Sequence, residues 1–216
     1  MIRAMIFDMD GLMVDSEPLA IEAWETIVRR FGHQIDDVMF EQMLGVRQIE
    51  CAALLLERFH LPIPAEALAR ERNETFLALL PGRLRAMPGL SVLIAELRAR
   101  GLKRALATSG ERRYVATVMS ELNLDGTFDA VVVAEDVTRG KPAPDVYLLA
   151  AERLGLLPAQ CLVLEDAPNG VAAAKAAGTI CVAVPNEYTR ALDLSAADAV
   201  MPSLLAVRDN LDVLIR

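Results

Sequence analysis

From residue 90 onward, short apolar runs and helix-like stretches take strict turns along the chain. Runs with strand character at residues 104–108, 130–133, 162–165 and 180–184 are separated by helical stretches at 90–100, 112–122, 145–154 and 170–177. Strands joined through helices of this length cannot pair as hairpins. They imply a parallel sheet with helices on both faces. A short final strand is expected near residues 199–201. One more apolar run, residues 2–7, stands far upstream and ends at the acidic pair Asp8 and Asp10.

Between that first strand and the alternating region the pattern is helical throughout, from residue 18 to about residue 80. Ala20, Ala23, Trp24, Ile27, Val28 and Phe31 recur at helix spacing, with Gly32 as a stop. Further helical stretches follow at 48–59 and 66–80, the second entered through Pro62 and Pro64. The expected organisation is therefore an α/β core built from residues 1–14 and 82–216. An all-helical domain, residues 15–81, interrupts it directly after the acidic pair. Ligands of open parallel sheets bind beyond the carboxyl ends of the strands. An insertion leaving from that edge is expected to act as a lid.

The chain's 216 residues suffice for such a core and insertion. Hydrophobic residues make up 54% and aromatic residues only 5%, a mixture that suits helices on a sheet better than a β-sandwich. Thirty acidic against 22 basic side chains give a net charge of −8. That field opposes nucleic acid or an anionic membrane as partner, but not a small anion held in a local cationic pocket. Cys51, Cys161 and Cys181 are odd in number, scattered and without a Cys-x-x-Cys pair. They read as buried small hydrophobes in a reducing compartment. Acidic residues come too early for a signal peptide and no apolar run reaches membrane-spanning length. The expectation is a cytoplasmic protein, monomeric or weakly oligomeric, acting on a small molecule.

Four polar clusters fall at four expected strand ends. Asp8 and Asp10 close the first strand, and Thr108 and Ser109 the second. Gly140-Lys141-Pro142 follows the third after a short loop, and Glu165 and Asp166 close the fourth. Singly, each also fits a turn, a helix cap or a solvated loop. A parallel sheet brings all four to one edge, however. Several converging carboxylates without His or Cys form a hard oxygen cage suited to Mg²⁺. Lys141 would supply a fixed positive charge and Thr108 a hydroxyl donor for phosphoryl oxygens. One aspartate is then placed to act as nucleophile, and a carboxylate two residues on as general acid and base.

At these residues the chain resembles the haloacid dehalogenase superfamily, in particular its β-phosphoglucomutase-like phosphatase branch. Its signatures stand in order as Asp8-Met9-Asp10-Gly11, Thr108-Ser109, Gly140-Lys141-Pro142-Ala143-Pro144-Asp145 and Glu165-Asp166-Ala167-Pro168-Asn169-Gly170, with Val14-Asp15-Ser16-Glu17-Pro18 opening the insertion. The resemblance implies a Rossmann-like α/β core with a helical cap, and a Mg²⁺-dependent phosphatase working through an aspartyl-phosphate. It implies Asp8 as nucleophile and metal ligand, and Asp10 as acid/base with its carbonyl on the metal. Asp166 would be a metal ligand and Glu165 a direct or indirect one. Thr108 and Lys141 would hold the phosphoryl group, assisted by Ser109 and Gly110. Gly45-Val46-Arg47 resembles the cap segment in which relatives place a substrate-gripping arginine, and Arg47 fits a plain surface residue equally well.

Three other readings are open. A phosphosugar mutase shares the core, but the histidine that links cap closure to the acid/base in mutases of this branch corresponds here to Ala20. A haloacid dehalogenase lacks the second aspartate. A phospho-accepting receiver module combines similar residues but carries adjacent metal-binding acids and no insertion after its first strand.

Overall fold

The computed structural model describes residues 1–43 and 48–216. The chain divides into two compact units, residues 1–15 with 84–216 and residues 16–83. Within the described residues, the second unit is all helical. It comprises α1 (Glu17–Arg30), α2 (Asp37–Met43), α3 (Gln48–Phe59) and α4 (Ala65–Leu79). Its helices enclose Trp24, Ile27, Val28, Cys51, Leu55 and Leu68. The apolar positions of α1 repeat at three- and four-residue spacing, so they share one buried stripe. Arg72 is buried beside this cluster, with its guanidinium 4.6 Å from the Phe76 ring centroid and 5.7 Å from that of Trp24.

The first unit is an α/β sheet domain. Its strands are β1 (Ala4–Phe7), β2 (Lys103–Ala107), β3 (Ala130–Val132), β4 (Cys161–Glu165), β5 (Ile180–Ala183) and β6 (Ala199–Val200). They lie in the order β3-β2-β1-β4-β5-β6, every pair parallel. The helices are α5 (Leu90–Ala99), α6 (Arg112–Glu121), α7 (Asp145–Leu154), α8 (Pro168–Ala176), α9 (Leu204–Asp209) and α10 (Leu211–Leu214). This is the Rossmann-like order, in which the direction of winding reverses beside β1 and opens a crevice at its carboxyl end. The fold is an α/β parallel-sheet core with an inserted helical domain.

Alternation along the strands explains why both faces are covered. Ala4, Ile6, Ala105, Ala107, Val163 and Ala183 share one core cluster with Tyr147, Ala150, Ala173 and Ala174 of α7 and α8. Small side chains dominate this face, which lets the helices lie close to the sheet. Met5, Phe7, Leu106, Leu164 and Val182 alternate with them and are equally buried. All three cysteines are buried free thiols. Burial pushes Cys51 and Cys161 to about 11 and Cys181 to about 12. None is a reactive thiolate near neutrality.

Several boundaries differ from the sequence expectation. Strand β1 starts at Ala4 because the Ile2 amide donates instead to the Ile215 carbonyl, at 3.0 Å. Helices α9 and α10 carry no periodicity long enough to read, yet they form. The Ser203 hydroxyl accepts from the Ala206 amide at 3.1 Å, and Leu204, Val207 and Leu211 are buried. Gly89, in the left-handed region at φ +92°, begins α5 where a β-carbon would stand 2.9 Å from the Leu205 amide nitrogen.

The turn after β3 is pinned by Asp136, which accepts from Arg153 at 2.9 Å, Arg112 at 2.7 Å and the Val133 amide at 3.1 Å. These partners, Arg153 first, lower its carboxyl from 3.8 to about 2. A carboxyl lowered on folding contributes stability that is complete above about pH 4 and is lost as pH falls towards 2. The expected result for Asp136→Asn is a melting temperature lower by a few degrees at pH 7. That deficit should stay constant to about pH 5 and shrink below pH 4, as followed by thermal melts across that range.

Candidate active site

The carboxyl ends of β1, β2, β4 and β5 meet on one edge because all the strands run the same way. Asp8 follows β1 directly, and its amide continues the ladder by donating to the Leu164 carbonyl at 3.0 Å. Glu165 ends β4, with Asp166 next. Asp8, Glu165 and Asp166 are all buried, and each offers a carboxylate oxygen within 4.8 Å of the others.

Lys141 reaches this cluster from the loop before α7. Its ammonium donates to Asp8 Oδ1 at 2.5 Å and to Glu165 Oε1 at 2.6 Å, with the Tyr147 ring centroid 4.9 Å away. The Tyr147 hydroxyl also donates to Glu165 Oε1. Glu165 Oε2 accepts the Asp166 amide at 3.0 Å and the Ala167 amide at 3.4 Å. A β-carbon on Gly170 would overlap the Glu165 carboxylate, so only glycine lets α8 pass this close.

Electrostatics follow from this crowding. Burial raises the Asp8 carboxyl, with Lys141 pulling against it and Glu165 reinforcing it. Asp166 is raised well above its ordinary value by burial first and then by Asp8 and Glu165. Burial acts to lower Lys141, but Asp8 and Glu165 outweigh it and hold the ammonium above its ordinary value. Three buried carboxylates and one ammonium leave the cluster short of positive charge, and its donor atoms are all oxygens. That set fits a hard divalent cation such as Mg²⁺.

Asp10 lies two residues beyond Asp8, outside the three-carboxylate group. Its Oδ1 accepts from the Tyr114 hydroxyl of α6. Thr108 follows β2, where its amide donates to the Val132 carbonyl at 3.1 Å and its Oγ1 accepts the Gly110 amide at 2.9 Å. Ser109 and Gly110 complete this turn. The Ala134 amide donates to the Gly110 carbonyl at 3.0 Å, and Glu135 receives the Arg112 amide at the start of α6 at 3.0 Å. A β-carbon on Gly110 would stand 3.1 Å from the Tyr114 ring, so the turn and that ring are fitted to one another. Thus Asp8, Lys141, Glu165 and Asp166 share direct contacts or close approach, while Thr108, Ser109, Gly110 and Asp10 form the neighbouring turns. Gly45, Val46 and Arg47 lie outside the described residues.

Residues 2–178 match the haloacid dehalogenase-like hydrolase family. The chain belongs to that family. Among the proteins it resembles is the fructose-1-phosphate phosphatase of Escherichia coli, 36% identical over 83% of this chain and 95% of that one. Another is the phosphorylated carbohydrates phosphatase of Thermotoga maritima, 33% identical over 82% of each chain. Among solved structures, CbbY from Rhodobacter sphaeroides, in complex with phosphate, superposes with a TM-score of 0.83 at 30% identity, covering 96% of both chains.

Three residues of the site escape sequence reasoning. Tyr147 and Tyr114 sit within helices, where a tyrosine reads as core. Their only signal is that a buried phenol needs a polar partner. Asn186 stands just past β5, and a polar residue at one more strand end was the available clue.

Proposed function

We propose that this haloacid dehalogenase-like enzyme hydrolyses small phosphate monoesters, sugar phosphates foremost, through a phosphorylated Asp8, with Mg²⁺ as cofactor. It acts as a phosphoric monoester hydrolase, in keeping with the phosphatases it resembles, and the inserted helical unit is its cap. The observation that carries this reading is the buried trio Asp8, Glu165 and Asp166 with Lys141 bridging two of them.

The protein hydrogen bonds fall on Asp8 Oδ1 and Asp166 Oδ2. Asp8 and Asp166 would each have a carboxylate oxygen left to hold the cation, together with the Asp10 carbonyl. Glu165 is engaged by Lys141, Tyr147 and two amides. It acts by orienting Lys141 and by its charge. The cation's chemistry is to neutralise the carboxylates and the phosphoryl oxygens, which otherwise repel.

Asp8 attacks phosphorus while the bond to the ester oxygen breaks, and Asp10 gives its proton to the departing alkoxide. Asp10 then takes a proton from water as the water oxygen attacks phosphorus. The Asp8–phosphorus bond breaks, phosphate leaves and the carboxylate is restored. Lys141 and the Thr108 hydroxyl hold the phosphoryl oxygens during both steps.

The test is phosphate release from a panel of sugar phosphates and other monoesters. Turnover is expected with Mg²⁺ and its loss on chelation, with recovery when Mg²⁺ is returned. Full turnover by a metal-stripped sample would overturn the cofactor assignment. No phosphate release from any monoester would overturn the function.

A further inference from the structure

Asn186 lies beyond β5, outside every motif described so far, yet its side chain is held at both ends. Its Oδ1 accepts the Tyr188 amide at 2.8 Å and the Thr189 amide at 3.1 Å. Its own amide donates to the Thr189 hydroxyl at 3.1 Å, and its carbonyl accepts the Arg190 amide at 3.0 Å. Two N–H donors on one atom identify that atom as the carbonyl oxygen, so chemistry fixes which end carries the –NH₂. That end donates to Asp166 Oδ2 at 2.9 Å and to the Gly11 carbonyl at 3.1 Å.

The second contact matters because Gly11 directly follows Asp10. Gly11 has φ +73°, and a β-carbon there would collide with both the Asp166 carboxylate and the Asn186 amide. The turn after β1, the carboxylate after β4 and the amide after β5 therefore close on one another with no room for a side chain. A neutral donor is also the right choice here. A lysine would add charge that competes with a cation, and a carboxylate would repel Asp166.

We infer that Asn186 is a positioning residue for the metal site, an amide tie that fixes the Asp166 carboxylate against the Gly11 carbonyl, one peptide beyond the Asp10 carbonyl, and so sets the separation of the two chain segments. It rests on the proposal that these groups hold Mg²⁺. The tie engages Asp166 Oδ2, which would leave the other carboxylate oxygen for the cation, while the bond to the Gly11 carbonyl restrains the turn that follows Asp10. Partners that orient metal ligands in this manner typically change metal affinity by about 10–100-fold when removed.

The test is Mg²⁺ binding measured by calorimetry on the full chain, without substrate. Asn186→Ala removes the tie and is expected to weaken Mg²⁺ binding by about 10–100-fold. Thr189→Val removes the hydroxyl that accepts the Asn186 amide but leaves the –NH₂ contacts, so its Mg²⁺ affinity should stay near that of the parent. At saturating Mg²⁺, Asn186→Ala should recover most of its kcat with little change in KM for the phosphate ester. Parent-like Mg²⁺ affinity in Asn186→Ala overturns the inference while leaving the cofactor reading intact. Equal weakening in Thr189→Val also overturns it, by making the effect one of loop stability. Absence of Mg²⁺ binding by the parent chain overturns the cofactor reading and the inference with it.

Discussion

Asp8→Asn is expected to end turnover and to leave no phosphorylated protein after exposure to substrate. The carboxamide keeps the shape of the side chain but is a far weaker nucleophile. Nothing else in the site replaces it, since Glu165 is engaged by Lys141, Tyr147 and two backbone amides. Uncatalysed phosphate-monoester hydrolysis is so slow that enzymes reach accelerations of up to ~10²¹-fold. Losing the covalent route should therefore drop the rate to background instead of to a slower regime. The fold should survive. Asp8 contributes one partner to Lys141, and Glu165 keeps that ammonium paired at 2.6 Å. Rapid-quench detection of acid-stable or acid-labile protein-bound phosphate, beside a thermal melt, checks both parts. Phosphorylation of the variant would move the nucleophile elsewhere, and a collapsed melt would mean that Asp8 is chiefly structural.

Much of the core was legible because strand and helix periods differ and because parallel connection puts strand ends together. Once residues 2–7, 104–108, 130–133 and 162–165 read as strands, parallel topology puts Asp8, Lys141, Glu165 and Asp166 at one edge. What stayed hidden depends on distance in space. Tyr147 looks like one more apolar residue in the helix after Pro144, and its hydroxyl contact with Glu165 exists only because α7 packs on β1 and β2. Asn186 lies 20 residues beyond Asp166 in the chain, in a turn with no periodicity to mark it. Helices α9 and α10 are too short for a repeat. The end of β2 was read one residue late because Thr108 is β-branched and favours strand, whereas its hydroxyl instead receives the Gly110 amide and begins a turn.

Asp10→Asn separates the second aspartate from the first through the leaving group. On the proposed roles this variant keeps the nucleophile but has no proton for a departing alkoxide, so alkyl phosphates such as sugar phosphates should lose about 10²–10⁴-fold in the phosphorylation step. An aryl phosphate departs as a stabilised phenolate and needs little protonation, so its phosphorylation should fall much less. Dephosphorylation also needs Asp10, now to take a proton from water, and the phosphorylated Asp8 should then accumulate with the aryl ester. The same reasoning bears on hydrolysis against mutase chemistry. In mutases of the branch that this chain resembles, a histidine couples the acid/base to the cap, and Ala20 has neither donor nor acceptor in its side chain. Here Tyr114, from the α/β unit itself, holds the Asp10 carboxylate. An acid/base held by its own domain remains available to water, so the phosphorylated parent enzyme should be short-lived and discharge to free phosphate. Single-turnover phosphorylation with matched alkyl and aryl esters decides the role of Asp10. Equal losses for both esters would assign it to binding instead of proton transfer, and a parent phospho-enzyme that outlives the assay while hexose phosphate isomerises would favour the mutase.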